Sequence, residues 1–192
     1  MLFHFLFILI FAPVVFGIDV LHTNFDTLKG SFIQKSIVDS EVVDIKKGVF
    51  FIKKPDLFRW DFGNNKKLFS YKKSLLVIDS SLEKAEHLVG GVEKLKFVFS
   101  LDLNNINEKF NIKLLKKTNH GLLYRFFPKS VKEEFDFVDV LVNGLVKKVT
   151  IYRGEGDFLE ISFFNQVINK DINNNNFKFI IPNTYEVIKR EL

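Results

Sequence analysis

The sequence predicts a mainly β (α+β) domain of about ten strands in one antiparallel sheet, with a short helix at the amino end and one or two more near the middle. Three observations carry that expectation. Short apolar runs alternate with turn residues along most of the chain, the clearest turn being Asn143-Gly144 between "FDFVDVLV" and "LVKKVTIY". Only the segments around 19–29 and 81–99 space their apolar residues as a helix does. No internal repeat and no linker divides the 192 residues, so a single domain is expected after the leader.

The leader is "MLFHFLFILIFAPVVFG", residues 1–17, which holds no Lys, Arg, Asp or Glu. An apolar run to Phe11, then Pro13 and the small or modest residues Val15 and Gly17, has the layout of a secretory signal peptide. It is short for a membrane span, and Pro13 would disturb one. Cleavage is expected near Gly17, leaving a single domain over 18–192. In "DVLHTNFDTLKG", Leu21, Phe25 and Leu28 recur at helical spacing, Asp19 can cap the start and Gly30 follows the end. Residues 31–38 and 42–53 then form a hairpin around Asp39-Ser40-Glu41. Residues 57–62 and 66–71 join through Gly63-Asn64-Asn65, and 74–79 follow Lys72-Lys73. "SSLEKAEHL" reads as a second helix candidate, and "GGVEKLKFVFSL" places Val92, Leu95, Val98 and Phe99 at helical spacing. Strands resume at 110–117 and 122–127 around Asn119-His120-Gly121. After the Asn143-Gly144 hairpin, "RGEGD" turns into "FLEISFFNQVI", "NKDINNNN" is a loop, and "FKFIIP" is expected as a last short strand.

The faces of this sheet are unusual. Phe58, Trp60 and Phe62 share one face while Arg59 and Asp61 take the other, as in any half-solvated strand. But Val49-Phe50-Phe51-Ile52, Phe126-Phe127 and Phe163-Phe164 put large apolar groups on both faces. The helices are too few to cover a long sheet. Either the sheet curls on itself, or part of its apolar face receives something else; the richness of the chain in Phe, 24 residues, contributes to the pattern as well.

"GSFIQKSIVDSEVVDIKKGVFFIKKPDLFRWDF" resembles the amino-terminal half of the LolA-type periplasmic lipoprotein carriers. The likeness includes Phe32-x-Gln34, Gly48, and Lys54-Pro55-Asp56-Leu57-Phe58-Arg59-Trp60. "FNIKLL…YRFFPK" and "FKFIIPN" follow in order, so it spans essentially the whole mature chain. The resemblance implies a curved, incompletely closed antiparallel half-barrel whose concave apolar face is lidded by short helices. It implies a periplasmic carrier for acylated lipoproteins, loaded by an inner-membrane ATP-driven exporter and unloaded to an outer-membrane acceptor. Phe51, Phe58, Trp60 and Phe62 would then line the lipid-binding face, with Leu21, Phe25, Val98 and Phe99 meeting it from the lid. Where the family's latch arginine donates to lid carbonyls stands Lys54, which lacks a planar fork of donors; Lys53 is a candidate to share the task. The family's Asp-Gly turn before the fifth strand is Lys72-Lys73 here. Two other readings keep a place: the same fold carrying another lipid or glycolipid or acting as a lipid-sensing regulator, and a basic structural or adhesion module.

Composition narrows the rest. The chain has no Cys, which excludes disulfides, a lipid-modified cysteine, thiolate metal sites and a cysteine nucleophile. The net charge is +5 and the pI about 9.2, but the lysines fall in pairs at 46–47, 53–54, 66–67, 72–73, 116–117 and 147–148, mostly where strands end. That pattern suits solvated ends and transient contact with anionic membrane surfaces better than nucleic acid. His4, His22, His87 and His120 show no metal-ligand spacing. Gly154-Glu155-Gly156 lacks the rest of a phosphate loop, and Ser80-Ser81 lacks a nucleophile elbow. Asp136 with Asp139, or Glu133 with Glu134, reads as solvated carboxylates. No enzyme, cofactor or metal is expected, and the protein is expected to act as a monomer.

Overall fold

The structure is a computed structural model that describes residues 24–63, 65–71, 74–89, 97–130 and 135–191. Its longest hairpin joins β1 (Thr27–Val38) to β2 (Glu41–Lys53) through Asp39 and Ser40, both left-handed at φ 50° and 67°, as a two-residue hairpin requires. From β2 a meander runs outward through β3 (Leu57–Phe62), β4 (Lys66–Tyr71), β5 (Ser74–Asp79) and β6 (Lys84–Val89). A second meander, β7 (Phe110–Thr118), β8 (Gly121–Pro128), β9 (Phe137–Asn143), β10 (Leu145–Tyr152) and β11 (Phe158–Ile168), brings β11 back alongside β1. The last strand, β12 (Glu186–Glu191), pairs with β6 and is parallel to it; the other pairs are antiparallel. The order is β12-β6-β5-β4-β3-β2-β1-β11-β10-β9-β8-β7, so β12 and β7 are edges and the sheet does not close.

The sheet must nevertheless curl. Residues 97–100 are helical; Phe97 meets Phe110 of β7 and Phe126 of β8 at ring separations of 5.2 and 6.1 Å, and Phe99 meets Phe58 and Trp60 of β3 at 5.9 and 5.7 Å. Seven strand spacings separate β3 from β7, about 34 Å in a flat sheet. Two residues of helix cannot bridge that distance, so the concave side folds around them. This concave side holds the main core. It draws one face of nearly every strand, in the register Phe32↔Gly48↔Phe62 and Phe50↔Trp60↔Leu68. Gly48 is glycine for a steric reason: a Cβ there would stand 2.1 Å from the Asp61 carbonyl and 2.7 Å from the Phe32 ring.

A second, smaller core lies on the convex side. Phe69, Leu76, Ile78 and Ala85 are covered there by Phe179, Ile181 and Tyr185 from the segment between β11 and β12. That segment is anchored where Asn169 N–H donates to Thr27 O (2.8 Å), Thr27 Oγ1 donates to Lys170 O (2.6 Å) and Arg59 Nη1 donates to Asn176 O (3.1 Å).

Three sequence expectations need correction. Residues 27–29 are strand rather than helix: Leu28 alternates with Gly30 and Phe32 at period two, and its pairing with Ile52 and Ile168 outweighs the helical spacing. The segment 84–89 is strand, because β5 and β12 flank it. "FKFIIP" is not a strand: Phe177 closes a 3-10 turn over Asn174–Phe177, and residues 178–181 run on extended. Its alternation turns Phe179 and Ile181 inward and leaves Ile180 91% exposed, but it crosses the back of the sheet, where among the described residues no neighbouring strand takes its hydrogen bonds. The final strand, 186–191, was not expected. The leader, Leu21, Val92, Leu95 and the Lys72-Lys73 turn lie outside the described residues.

Candidate functional site

The aromatic residues of β3 supply the floor of a site on the concave side. Period-two geometry sends Phe58, Trp60 and Phe62 to that face together, and Phe32, Phe50 and Phe163 join them across the sheet. Trp60 is fully buried at the centre, with ring centroids 4.6 Å from Phe32, 5.6 Å from Phe50 and 5.8 Å from Phe163. Its indole N–H needs an acceptor in this apolar setting, and Nε1 donates to the Phe99 carbonyl at 2.9 Å. The Phe99 ring stacks on Phe58, and Val98 is buried beside it. The helical segment thus fills part of the concave face with its own side chains.

It does not fill all of it. Beyond Phe99 lies a cavity of about 410 Å³. Leu68, Leu75, Val77 and Leu88 form one wall and Ile151, Leu159 and Ile161 the other, with Phe62, Val98 and Phe99 between them. Its mouth is polar: Gln34, Lys46, Lys66 and Arg153. Lys46 pairs with Asp44 at 3.0 Å and Lys66 with Asp79 at 3.1 Å. The Asp79 carboxyl is held below its ordinary 3.8, first by the Ser81 hydroxyl, with burial opposing and Lys66 and the Leu82 N–H adding to the effect. What this arrangement offers chemically is sequestration: an apolar volume open on one side, with charged side chains along its lining.

Phe25 is buried on the main core below the Lys54 ammonium, 4.6 Å from the ring centre. Lys54 also pairs with Asp102 Oδ1 at 3.3 Å, just past the helical segment, so it ties the β2–β3 turn to the covering chain. Lys53 donates instead to the Ile172 carbonyl at 3.1 Å, in the segment behind the sheet. Phe51 is a correction. It pairs with Arg59, whose guanidinium lies 5.6 Å from the Phe51 ring, on the face opposite Phe50 and Ile52. Alternation from Phe58 already requires this, since Phe50 and Ile52 stand opposite Trp60 and Phe58. Sequence reasoning also missed Leu68, Leu75, Leu88, Ile151 and Leu159, whose convergence depends on the curl. Among the described residues no group of three His, Asp or Glu side chains could hold a metal ion, and no helix is long and apolar enough to cross a membrane.

Comparison with known proteins agrees with this architecture. The family model for the outer membrane lipoprotein carrier protein LolA matches residues 23–180. A protein of Francisella philomiragia named outer-membrane lipoprotein carrier protein is 29% identical over 173 residues, covering 86% of this chain and 83% of its own. Among solved structures, an uncharacterized conserved protein from Thermus thermophilus superposes with a TM-score of 0.57 at 10% identity, over 90% of this chain and 96% of that one. A candidate outer membrane lipoprotein-sorting domain from Vibrio parahaemolyticus does so with a TM-score of 0.51 at 10% identity, over 83% and 92%.

Proposed function

This chain belongs to the LolA family of outer membrane lipoprotein carrier proteins, and on that footing we propose that it carries the acyl chains of lipoproteins through the periplasm, from an inner-membrane ATP-driven exporter to an outer-membrane acceptor. The leader would direct export and be cut near Gly17, releasing a carrier rather than a catalyst. The observation that carries the reading is the partly self-filled apolar site: a cavity of about 410 Å³ continuous with a buried ring cluster capped by residues 97–106.

Self-filling is what such a task demands. Each methylene withdrawn from water contributes roughly 0.8 kcal/mol, so an acyl chain of ordinary length would bind by on the order of 10 kcal/mol before costs. Release would then be slow. A segment that occupies the same face in the empty protein competes with cargo and offsets part of that energy. Opening means undocking Phe97, Val98 and Phe99, breaking the Trp60-to-Phe99 hydrogen bond and parting Lys54 from Asp102. The basic mouth favours transient contact with anionic membrane surfaces at either end of the route.

The test is to purify the protein from the exported fraction and identify by mass spectrometry what accompanies it. An acylated polypeptide is expected. Lipid or glycolipid without polypeptide would replace lipoprotein transport by a different cargo or a lipid-sensing role. Absence of any lipid would favour a structural module.

A further inference from the structure

The β1–β2 hairpin runs well past its neighbour. The register of β2 with β3 covers only Gly48–Lys53, and the last bond at that end is Gly63 N–H to Lys47 O, 2.8 Å. From Glu41 to Lys46 the outer edge of β2 therefore has no strand beside it among the described residues. Strand residues alternate the side to which they aim their backbone groups. Since Lys47 aims its carbonyl at the β3 side, Ile45 aims its own N–H and C=O there as well, into the open notch. Three of the side chains along this edge are apolar and solvent-facing: Val42 is 54% exposed, Val43 61% and Ile45 53%. Lys46, the next residue, is part of the cavity mouth, with Gln34 and Gly63 close by.

An outward-facing N–H and C=O at Ile45, on a strand edge with no neighbour among the described residues, is complemented by another extended backbone. We propose that the polypeptide segment immediately following the acylated end of the cargo adds as a strand to the Glu41–Lys46 edge while the acyl chains occupy the cavity. The inference rests on the carrier reading and assigns the part of the cargo that the cavity alone does not hold. The edge is built to be weak on its own. Asp44, Lys46 and Lys47 put charge along it, and the register slips between Ser36 and Ile37, so the ladder is broken opposite Val43. Such devices keep a free edge from pairing indiscriminately. A peptide tethered by its lipid at the mouth meets this edge at millimolar effective concentration, which makes a weak site sufficient. Because backbone bonds do the recognition, cargo of varied sequence is accepted.

The experiment compares three probes on the full-length mature protein: dipalmitoylglyceryl-cysteine, the same lipid bearing a peptide of about six residues, and that lipopeptide with alternate backbone amides N-methylated. Affinity and amide exchange over residues 41–47 are measured. The lipopeptide should bind about tenfold tighter than the peptide-free lipid, the yield of one or two net ladder bonds. It should slow exchange at Ile45 selectively, and N-methylation should remove both effects. Equal affinity of lipid and lipopeptide, or unaltered exchange at Ile45 in the lipopeptide complex, overturns the inference and leaves the carrier reading standing. Failure of the peptide-free lipid and the lipopeptide alike to bind overturns both. Protection at Ile45 that rises with protein concentration, without ligand, assigns the edge to a second copy of this chain and overturns the inference too.

Discussion

Replacing Phe99 by alanine isolates the plug from the floor. The ring of Phe99 stacks on Phe58 at 5.9 Å with 16° between planes, and meets Trp60 edge-on at 5.7 Å and 90°. Each such pair contributes about 0.5–1.5 kcal/mol beyond burial, so the two together hold the covering segment by about 1–3 kcal/mol. The Trp60 hydrogen bond survives the change, because its acceptor is the Phe99 backbone carbonyl. The equilibrium between the covered and open site therefore shifts by on the order of 5- to 150-fold. A ligand that binds only the open form gains in proportion to the open fraction, so acyl affinity should tighten by up to that factor while thermal stability falls. Trp60 is the single tryptophan of the chain and sits in the site, which makes its fluorescence the direct readout in a titration with a fatty-acid probe. Weaker acyl binding by a folded F99A protein would make Phe99 a wall of the ligand site rather than a competitor for it. Unchanged binding would refute the competition altogether.

Lys54→Leu should speed amide exchange in residues 97–106 about fivefold, since the Asp102 pair is partly exposed and worth about 1 kcal/mol, while Lys54→Arg should restore protection. Gly48→Ala should destabilise the fold by on the order of 3 kcal/mol in urea titration, because a Cβ would collide with the Asp61 carbonyl and the Phe32 ring. Asp79 titrates below its unfolded value, so its contribution is complete above about pH 4 and is lost as pH falls through the lowered folded value. Stability measured from pH 6 down to pH 2 should decline less steeply for Asp79→Asn. Mass measurement of the exported protein should find a chain beginning at Ile18; a full-length mass in the membrane pellet would mean an anchored protein.

Legibility followed the range of the interactions. The hairpins at 39–40 and 143–144 were readable because turn chemistry is local, and Phe58, Trp60 and Phe62 because alternation is. Phe51 lies on the other face because its parity is that of Arg59 and not of Phe58, which ring density alone does not report. Residues 27–29 and 84–89 were misjudged because strand identity there comes from Ile168 and from β12, more than 100 residues away. The cavity walls are contributed by β4–β6 and β10–β11, which only the curl brings face to face.

The strap that packs Phe179, Ile181 and Tyr185 behind β4–β6 makes the sheet mechanically uneven. Bending stiffness grows steeply with thickness, and here one wing is a laminate clamped by a second core and the parallel strand β12. The other wing, β8 to β11, carries on its back a row of rings, Phe127, Phe137, Tyr152 and Phe158 at spacings of 6.1, 4.4 and 5.4 Å, with the Arg125–Asp139 ion pair laid over Phe137, and no second core among the described residues. On the carrier reading, the wing without a second layer is the leaf expected to yield to cargo, and the laminate is the fixed jaw against which it opens.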